Sequence, residues 1–354
     1  MKKYLIIAAC ALVASVACTK SEKVDSPDVE IKFQVADHRA QTKAGEVSLL
    51  ADTDHFTCKA FLHAEGITNT QDFFGANGET ITAENTTNPS FWAPSHPYYW
   101  PKGEQSYINF VSYFDTGVGP TTVTETSLEW AARTIGTGDN IMYADEAWRF
   151  KANNNPATYG KDSVTEGVPT LFHHALAQIV IKTYATKLED TNATWEIALE
   201  NITLGTIRNK GTLSLTNADP NAKQTVAWTG NWVADTSVDG SLSPANKTIT
   251  ATTKAGADVV LANQSVLPQS LTGVTLDFKV RITTTYKQNP TNPNVELITK
   301  SVSLPDAAGF NTSEWAMNTK YAYYIKIDPA TNEVLFDPAV AEEWINGGEA
   351  EYVY

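Results

Sequence analysis

The sequence predicts an all-β chain arranged as two sandwiches in tandem, and three observations carry that prediction. Run after run alternates apolar and polar side chains with a period of two, the pattern of a strand with one buried face. Clusters of Asn, Gly, Asp and Pro punctuate these runs, as at Asn153-Asn154-Asn155-Pro156 and Asn289-Pro290-Thr291-Asn292-Pro293-Asn294. Long segments of helical period are missing. The best helical candidate spans 139–148, and 172–178 has room for a turn or two.

Taken from the start, Met1-Lys2-Lys3 is a basic head and Tyr4 to Val13 an apolar run, too short to cross a bilayer core of about 30 Å. Ala14-Ser15-Val16-Ala17 then sets small residues before Cys18. Residues 1–17 are thus a signal peptide. The Cys has two readings: a lipobox, in which Cys18 is acylated and becomes the mature N-terminus, or an incidental thiol beside ordinary cleavage.

The first strand follows at once. In Asp28-Val29-Glu30-Ile31-Lys32-Phe33-Gln34-Val35 every odd position is apolar and every even one polar, so Val29, Ile31, Phe33 and Val35 share one face. Arg39 and Lys43 come next, in a polar run. Two accounts stand open. Residues 18–39 could be a propeptide whose strand fills a groove until a protease cuts after Arg39, with Lys43 as the alternative; or they could be a tether leading into an ordinary first strand. The N-terminal sandwich is expected over 40–165 and the C-terminal one over 166–354, with the boundary in the loop-rich stretch from Lys151 to Val168. Later strands are clear at Trp195 to Leu199, Val274 to Ile282 and Tyr321 to Ile327. The tail holds another extended run around Val334 and Phe336, then ends on Tyr352 and Tyr354 in alternation, a pattern suited to pairing with a sheet.

Composition excludes several functions. A chain of 354 residues with 42% hydrophobic residues, nine Trp and fourteen Tyr can build large cores. A formal charge of −14 opposes contact with phosphate backbones, so no nucleic-acid partner is expected. Of three Cys, Cys10 leaves with the signal and Cys18 is the lipidation candidate. Cys58 is left without a disulfide partner, on the same face as Phe56, Ala60 and Leu62, as a buried thiol. His173 and His174 are adjacent on an extended run and point to opposite faces, which disfavours a shared metal. Asp52-Thr53-Asp54 lacks the full acidic loop of a calcium site. No catalytic motif is present, and neither enzyme activity nor a cofactor is expected.

Several motifs now combine. Tyr98-Tyr99-Trp100-Pro101 precedes Tyr107-Ile108-Asn109-Phe110-Val111-Ser112-Tyr113, and Leu171 to Ile179 reads LFHHALAQI. Asn201-Ile202-Thr203-Leu204 comes before Gly211, and Val266-Leu267-Pro268-Gln269 follows. Tyr321 to Ile327 then leads into Phe336-Asp337-Pro338-Ala339-Val340 and Trp344. In order and spacing these resemble the fimbrillin family, the Mfa-like lipoprotein pilins of type V pili. The resemblance implies two transthyretin-like β-sandwich domains and export as an outer-membrane lipoprotein held by lipid on Cys18. It also implies cutting by a trypsin-like protease, Arg39 matching that site best. Donor-strand exchange with other pilin subunits would then build an adhesive surface fimbrium. The short, Gly-broken tail leaves open whether this subunit donates a strand. A second function stays in view: Trp92, Tyr98, Tyr99 and Trp100, in a Pro-rich segment, could stack on sugar rings in a glycan-binding surface lipoprotein that does not polymerise. The alternative is that these rings plug the end of a sandwich.

Overall fold

The computed structural model describes residues 29–37, 55–84, 91–101, 106–150, 167–217, 228, 230–236, 240–306 and 313–343. Its strands run, in the first half, β1 (Phe33–Asp37), β2 (His55–His63), β3 (Gln71–Asp72), β4 (Glu79–Ala83), β5 (Trp92–Pro94), β6 (Tyr107–Asp115), β7 (Thr122–Thr124), β8 (Ser127–Thr134), β9 (Ile141–Ala144) and β10 (Ala147–Phe150). They continue with β11 (Val168–His174), β12 (Ala177–Ala185), β13 (Ala193–Ile207), β14 (Lys210–Thr216), β15 (Trp232–Ala234), β16 (Gly240–Leu242) and β17 (Lys247–Ile249). The last are β18 (Asp258–Val266), β19 (Gln269–Ser270), β20 (Thr275–Tyr286), β21 (Asn289–Ser303), β22 (Glu314–Trp315), β23 (Thr319–Asp328) and β24 (Glu333–Glu343). The chain is all-β: among the described residues its one helical element is a 3₁₀ turn at Leu304–Asp306.

The first sheet has the order β10-β6-β9-β11-β1-β5-β4-β2-β3, and β6 also pairs with β2. That extra pairing, from Thr57↔Tyr113 to His63↔Tyr107, bends the sheet back on itself. Strands β6, β9, β11, β1, β5, β4 and β2 therefore close a ring. Its interior is the aromatic core of Phe33, Phe56, Phe74, Trp92, Trp100, Phe110 and Phe172. In the second half, the sheet β18-β12-β23-β24 lies over the sheet β16-β13-β20-β21. Between them sits a second core that includes Ile197, Leu199, Phe278, Val280, Tyr323 and Ile325. Alternation puts the even apolar set of β20 on this inner face, and in β13 the odd set from Ala193 to Leu199, after which a register shift beyond Glu200 turns Ile202 and Leu204 inward.

A third cluster joins the two. Leu128 and Trp130 from β8 meet Leu213 and Leu215 from β14, with Trp232 from β15, Leu176 and Leu267. Strand pairing also crosses residue 166: β11 lies inside the first sheet, and β14 pairs with β8.

The helical candidates are corrected. Residues 141–144 form β9 and 147–150 form β10, while 172–178 spans the end of β11, a bend at Ala175–Leu176 and the start of β12. Ile141, Met142, Tyr143 and Ala144 are all buried. A strand covered on both faces shows no two-residue alternation, so its pattern does not separate it from a short helix.

Candidate functional site

The N-terminal ring closes through one short segment, β1 with the residues leading into it. Phe33 to Asp37 pairs in parallel with β11 over five positions, from Phe33↔Val168 to Asp37↔Phe172. On the opposite side, β1 meets β5 through one pair, Phe33↔Trp92. Just before it, the Ile31 N–H donates to the Tyr98 carbonyl at 2.7 Å, and the Trp100 N–H to the Val29 carbonyl at 3.0 Å. The Val168 N–H donates to the Lys32 carbonyl at 2.8 Å. The segment is thus held on one flank by a continuous ladder and on the other by isolated links.

Alternation sets what each residue does. Ile31 and Phe33 have no exposed surface, and Val35 is buried as well. Val29 is half-buried against the same core. Three fully covered side chains give about 5–9 kcal/mol of gross burial. Phe33 stands at the centre of a ring cluster, edge-on to Phe56 at 5.9 Å, Phe74 at 6.4 Å and Phe110 at 5.4 Å. Each such pair adds roughly 0.5–1.5 kcal/mol beyond area. On the polar face, Lys32 donates to Glu84 and lies near Glu30, and the hydrogen bond to Glu84 holds its ammonium above the usual lysine range.

Gly167 completes the slot. Its φ is +75°, and a Cβ there would stand 3.1 Å from the Phe33 carbonyl carbon and 3.2 Å from the Gln34 nitrogen. Glycine thus allows both the left-handed turn and the close approach of β1. Nothing in the sequence marked Gly167, since neither its φ nor its neighbour across the sheet is a local property. Phe56 and Phe110 were visible as inward-facing strand residues, yet their convergence on Phe33 needed the ring.

The other sequence candidates fall as follows. Cys18, Arg39 and Lys43, and likewise Asp52-Thr53-Asp54, Tyr352 and Tyr354, lie outside the described residues. Val334 is buried and Phe336 half-buried in the C-terminal sandwich, with Phe336 6.2 Å from the ring of Phe278. β24 is hydrogen-bonded to β23 from Thr319↔Glu343 to Asp328↔Glu333 and forms an edge of its sheet. Cys58 is fully buried, and desolvation pushes its thiol up to about 12, which leaves it inert. His173 meets Asp145 at 3.0 Å, whereas His174 is buried with Nδ1 2.9 Å from the Asn140 Oδ1. Burial, aided by the charge of His173, brings His174 down to about 3.

Of the four rings considered for sugar stacking, Trp92 and Trp100 are core residues, and Trp100 lies edge-on to Phe110 at 5.9 Å. Tyr98 packs on Phe74 at 4.6 Å and donates its hydroxyl to Glu79 at 2.7 Å, which helps raise it to about 12. Tyr99 alone among the four is exposed. The aromatic segment therefore plugs the ring and offers no pair of open, coplanar rings.

Comparison with known proteins fits this architecture. A fimbrial protein from Bacteroides vulgatus superposes with a TM-score of 0.53 at 18% identity, over 90% of this chain and 100% of that one. A candidate cell adhesion protein from Bacteroides uniformis aligns over 90% of this chain and 99% of the other at 15% identity, with a TM-score of 0.47. No curated protein matches the sequence. The model of the fimbrillin-like family matches residues 41–344. With most of its length inside that match, the chain belongs to the fimbrillin-like family.

Proposed function

We propose that the protein is a structural subunit of a surface fimbrium that contributes to cell adhesion, exported as a lipoprotein precursor through Cys18 and polymerised after proteolysis. The observation that carries this reading is the position of β1. It is the closing stave of the N-terminal ring, buried along one face, yet joined to β5 by a single ladder pair. The family match opens at residue 41, past β1 and Arg39, which is compatible with a mature chain that starts after Arg39.

The proposed mechanism follows from edge energetics. While residues 29–37 are covalently tethered, no competing strand can displace them, because the effective concentration of a tethered strand far exceeds that of a free one. A trypsin-like protease cutting after Arg39, or after Lys43, makes the strand dissociable. Its loss opens the ring between β11 and β5 and bares an apolar slot lined by Phe56, Phe74, Phe110 and Phe172. Unpaired strand edges beside an apolar trough invite strand addition. A strand from another subunit then fills the slot. Val334 and Phe336 are already committed to their own sandwich, so the donor role assigned to this chain falls on the Tyr352 and Tyr354 alternation.

The test is the double variant Arg39→Ala with Lys43→Ala. The expected product is a folded, lipidated protein that yields no SDS-resistant ladder, whereas the parent chain polymerises once cut. Ladders of unchanged length from the uncut double variant would overturn the mechanism.

A further inference from the structure

Among the described residues, the longest strand at the edge of a sheet is β21. It runs for fifteen residues and, among the described residues, pairs only with β20, from Thr275↔Ser303 to Tyr286↔Asn289, so its other flank ends the sheet β16-β13-β20-β21. Natural sheets guard such edges with proline, charge or a covering loop. Here Pro290 and Pro293 withhold ladder donors near the hairpin tip. From Asn294 to Ser303 there is no proline, and Glu296 and Lys300 are the charges.

This stretch is apolar on both faces. Val295 and Leu297 are exposed on the outer face at 54% and 63%. Ile298 and Val302 are half-buried on the inner face, packed against the edge of the C-terminal core. The order of residues, Asn-Val-Glu-Leu-Ile-Thr-Lys-Ser-Val, is complementary to itself when laid antiparallel about Ile298. Glu296 then stands opposite the second copy's Lys300, and Lys300 opposite its Glu296. Leu297 faces Thr299, Val295 faces Ser301, and the two Ile298 side chains meet on the two-fold axis. No other register within the stretch places both charges against their opposites.

We propose that the β21 edge is a self-association surface, where two copies of this chain pair antiparallel about Ile298 and join their C-terminal sheets. The interface is isologous, as a two-fold requires. Like charges directly opposite would destabilise it, and opposite charges stabilise it. A single contact of this kind is weak. Repeated along a fibre, it would bind neighbouring fibres side by side through avidity. The contact is independent of the β1 slot and survives if the strand-exchange mechanism fails.

The test uses the intact, uncut chain, so that strand exchange contributes nothing. Sedimentation equilibrium over a concentration series should show dimers for the parent. Lys300→Glu, which sets Glu against Glu twice, should weaken association by about tenfold. Glu296→Lys should do the same, and the double variant Glu296→Lys with Lys300→Glu should restore it. Rescue by the double variant separates pairing from any local damage, including loss of the hydrogen bond from Asn332 to Glu296. Ile298→Cys should form a symmetric disulfide-linked dimer under mild oxidation, while Asn294→Cys, placed opposite Val302, should not. A parent that stays monomeric at every concentration, or dimers unaffected by either single reversal, would overturn the proposal.

Discussion

His174 shows what one side chain reveals about the fold. It sits at the end of β11, fully buried, and its neighbour His173 turns to the opposite face to meet Asp145. Burial favours the neutral imidazole, so the group falls from 6.5 to about 3 on folding. The sign follows from linkage: below 6.5 the unfolded chain binds a proton that the folded chain refuses. Stability drawn from neutral His174 is therefore complete above 6.5 and lost as pH falls toward 3. Within that window the slope approaches about 1.4 kcal/mol per pH unit. Urea unfolding of the parent and of His174→Gln at pH 6 and pH 5 isolates this group from the other histidines. The stability difference between the two proteins should shift by about 1 kcal/mol in the variant's favour at the lower pH. A difference that stays flat would mean His174 titrates normally and the site is open to water.

At the scale of elements, β1 was legible and its surroundings were not. The alternation of Val29, Ile31, Phe33 and Val35 is a local pattern, and the structure places three of the four in the core. The same rule identified the inner faces of β13, β20 and β23, because one-sided strands write their burial into the order of residues. β9 was misread for the opposite reason, since all four of its residues are buried. The closure of the ring by β2 and β6, and the parallel pairing of β1 with β11 more than 130 residues away, depend on partners that no local pattern names. Gly167 belongs to this second class, and it sets how tightly β1 is held. Gly167→Ala would force a left-handed residue, costing about 1–2 kcal/mol. It would also push a methyl group to within 3.1–3.2 Å of the backbone of Phe33 and Gln34. Amide exchange should report the result as faster exchange in residues 31–37, with the C-terminal sandwich unchanged. Equal loss of protection in both sandwiches would show that Gly167 acts on the whole fold and not on the grip of β1.

Across the whole molecule, the third core decides whether the two halves behave as one body. In the assembly proposed above, load would pass from the strand a subunit receives to the strand it gives, so a slack joint between sandwiches would defeat rigid assembly. The joint here is a shared sheet, β15-β14-β8-β7, in which β8 from the first half pairs with β14 from the second, from Lys210↔Thr134 to Thr216↔Ser127. Trp130 stands at its centre with no exposed surface, and its indole N–H donates to Asp115 at 2.9 Å. Trp232 adds a bond from its indole to the Ala175 carbonyl, at the bend where the chain passes from β11 to β12. Because both halves contribute to one ladder and one core, opening either exposes apolar surface of the other, and unfolding should be a single transition in which fluorescence and circular dichroism coincide. Trp130→Ala would remove a large buried ring at a cost of about 3–5 kcal/mol and leave the Asp115 carboxylate without that donor. The expected result is a split transition, with the aromatic N-terminal ring and the C-terminal sandwich melting apart. One sharp transition, merely moved to lower temperature, would place the coupling elsewhere in the interface and reduce Trp130 to an ordinary core residue.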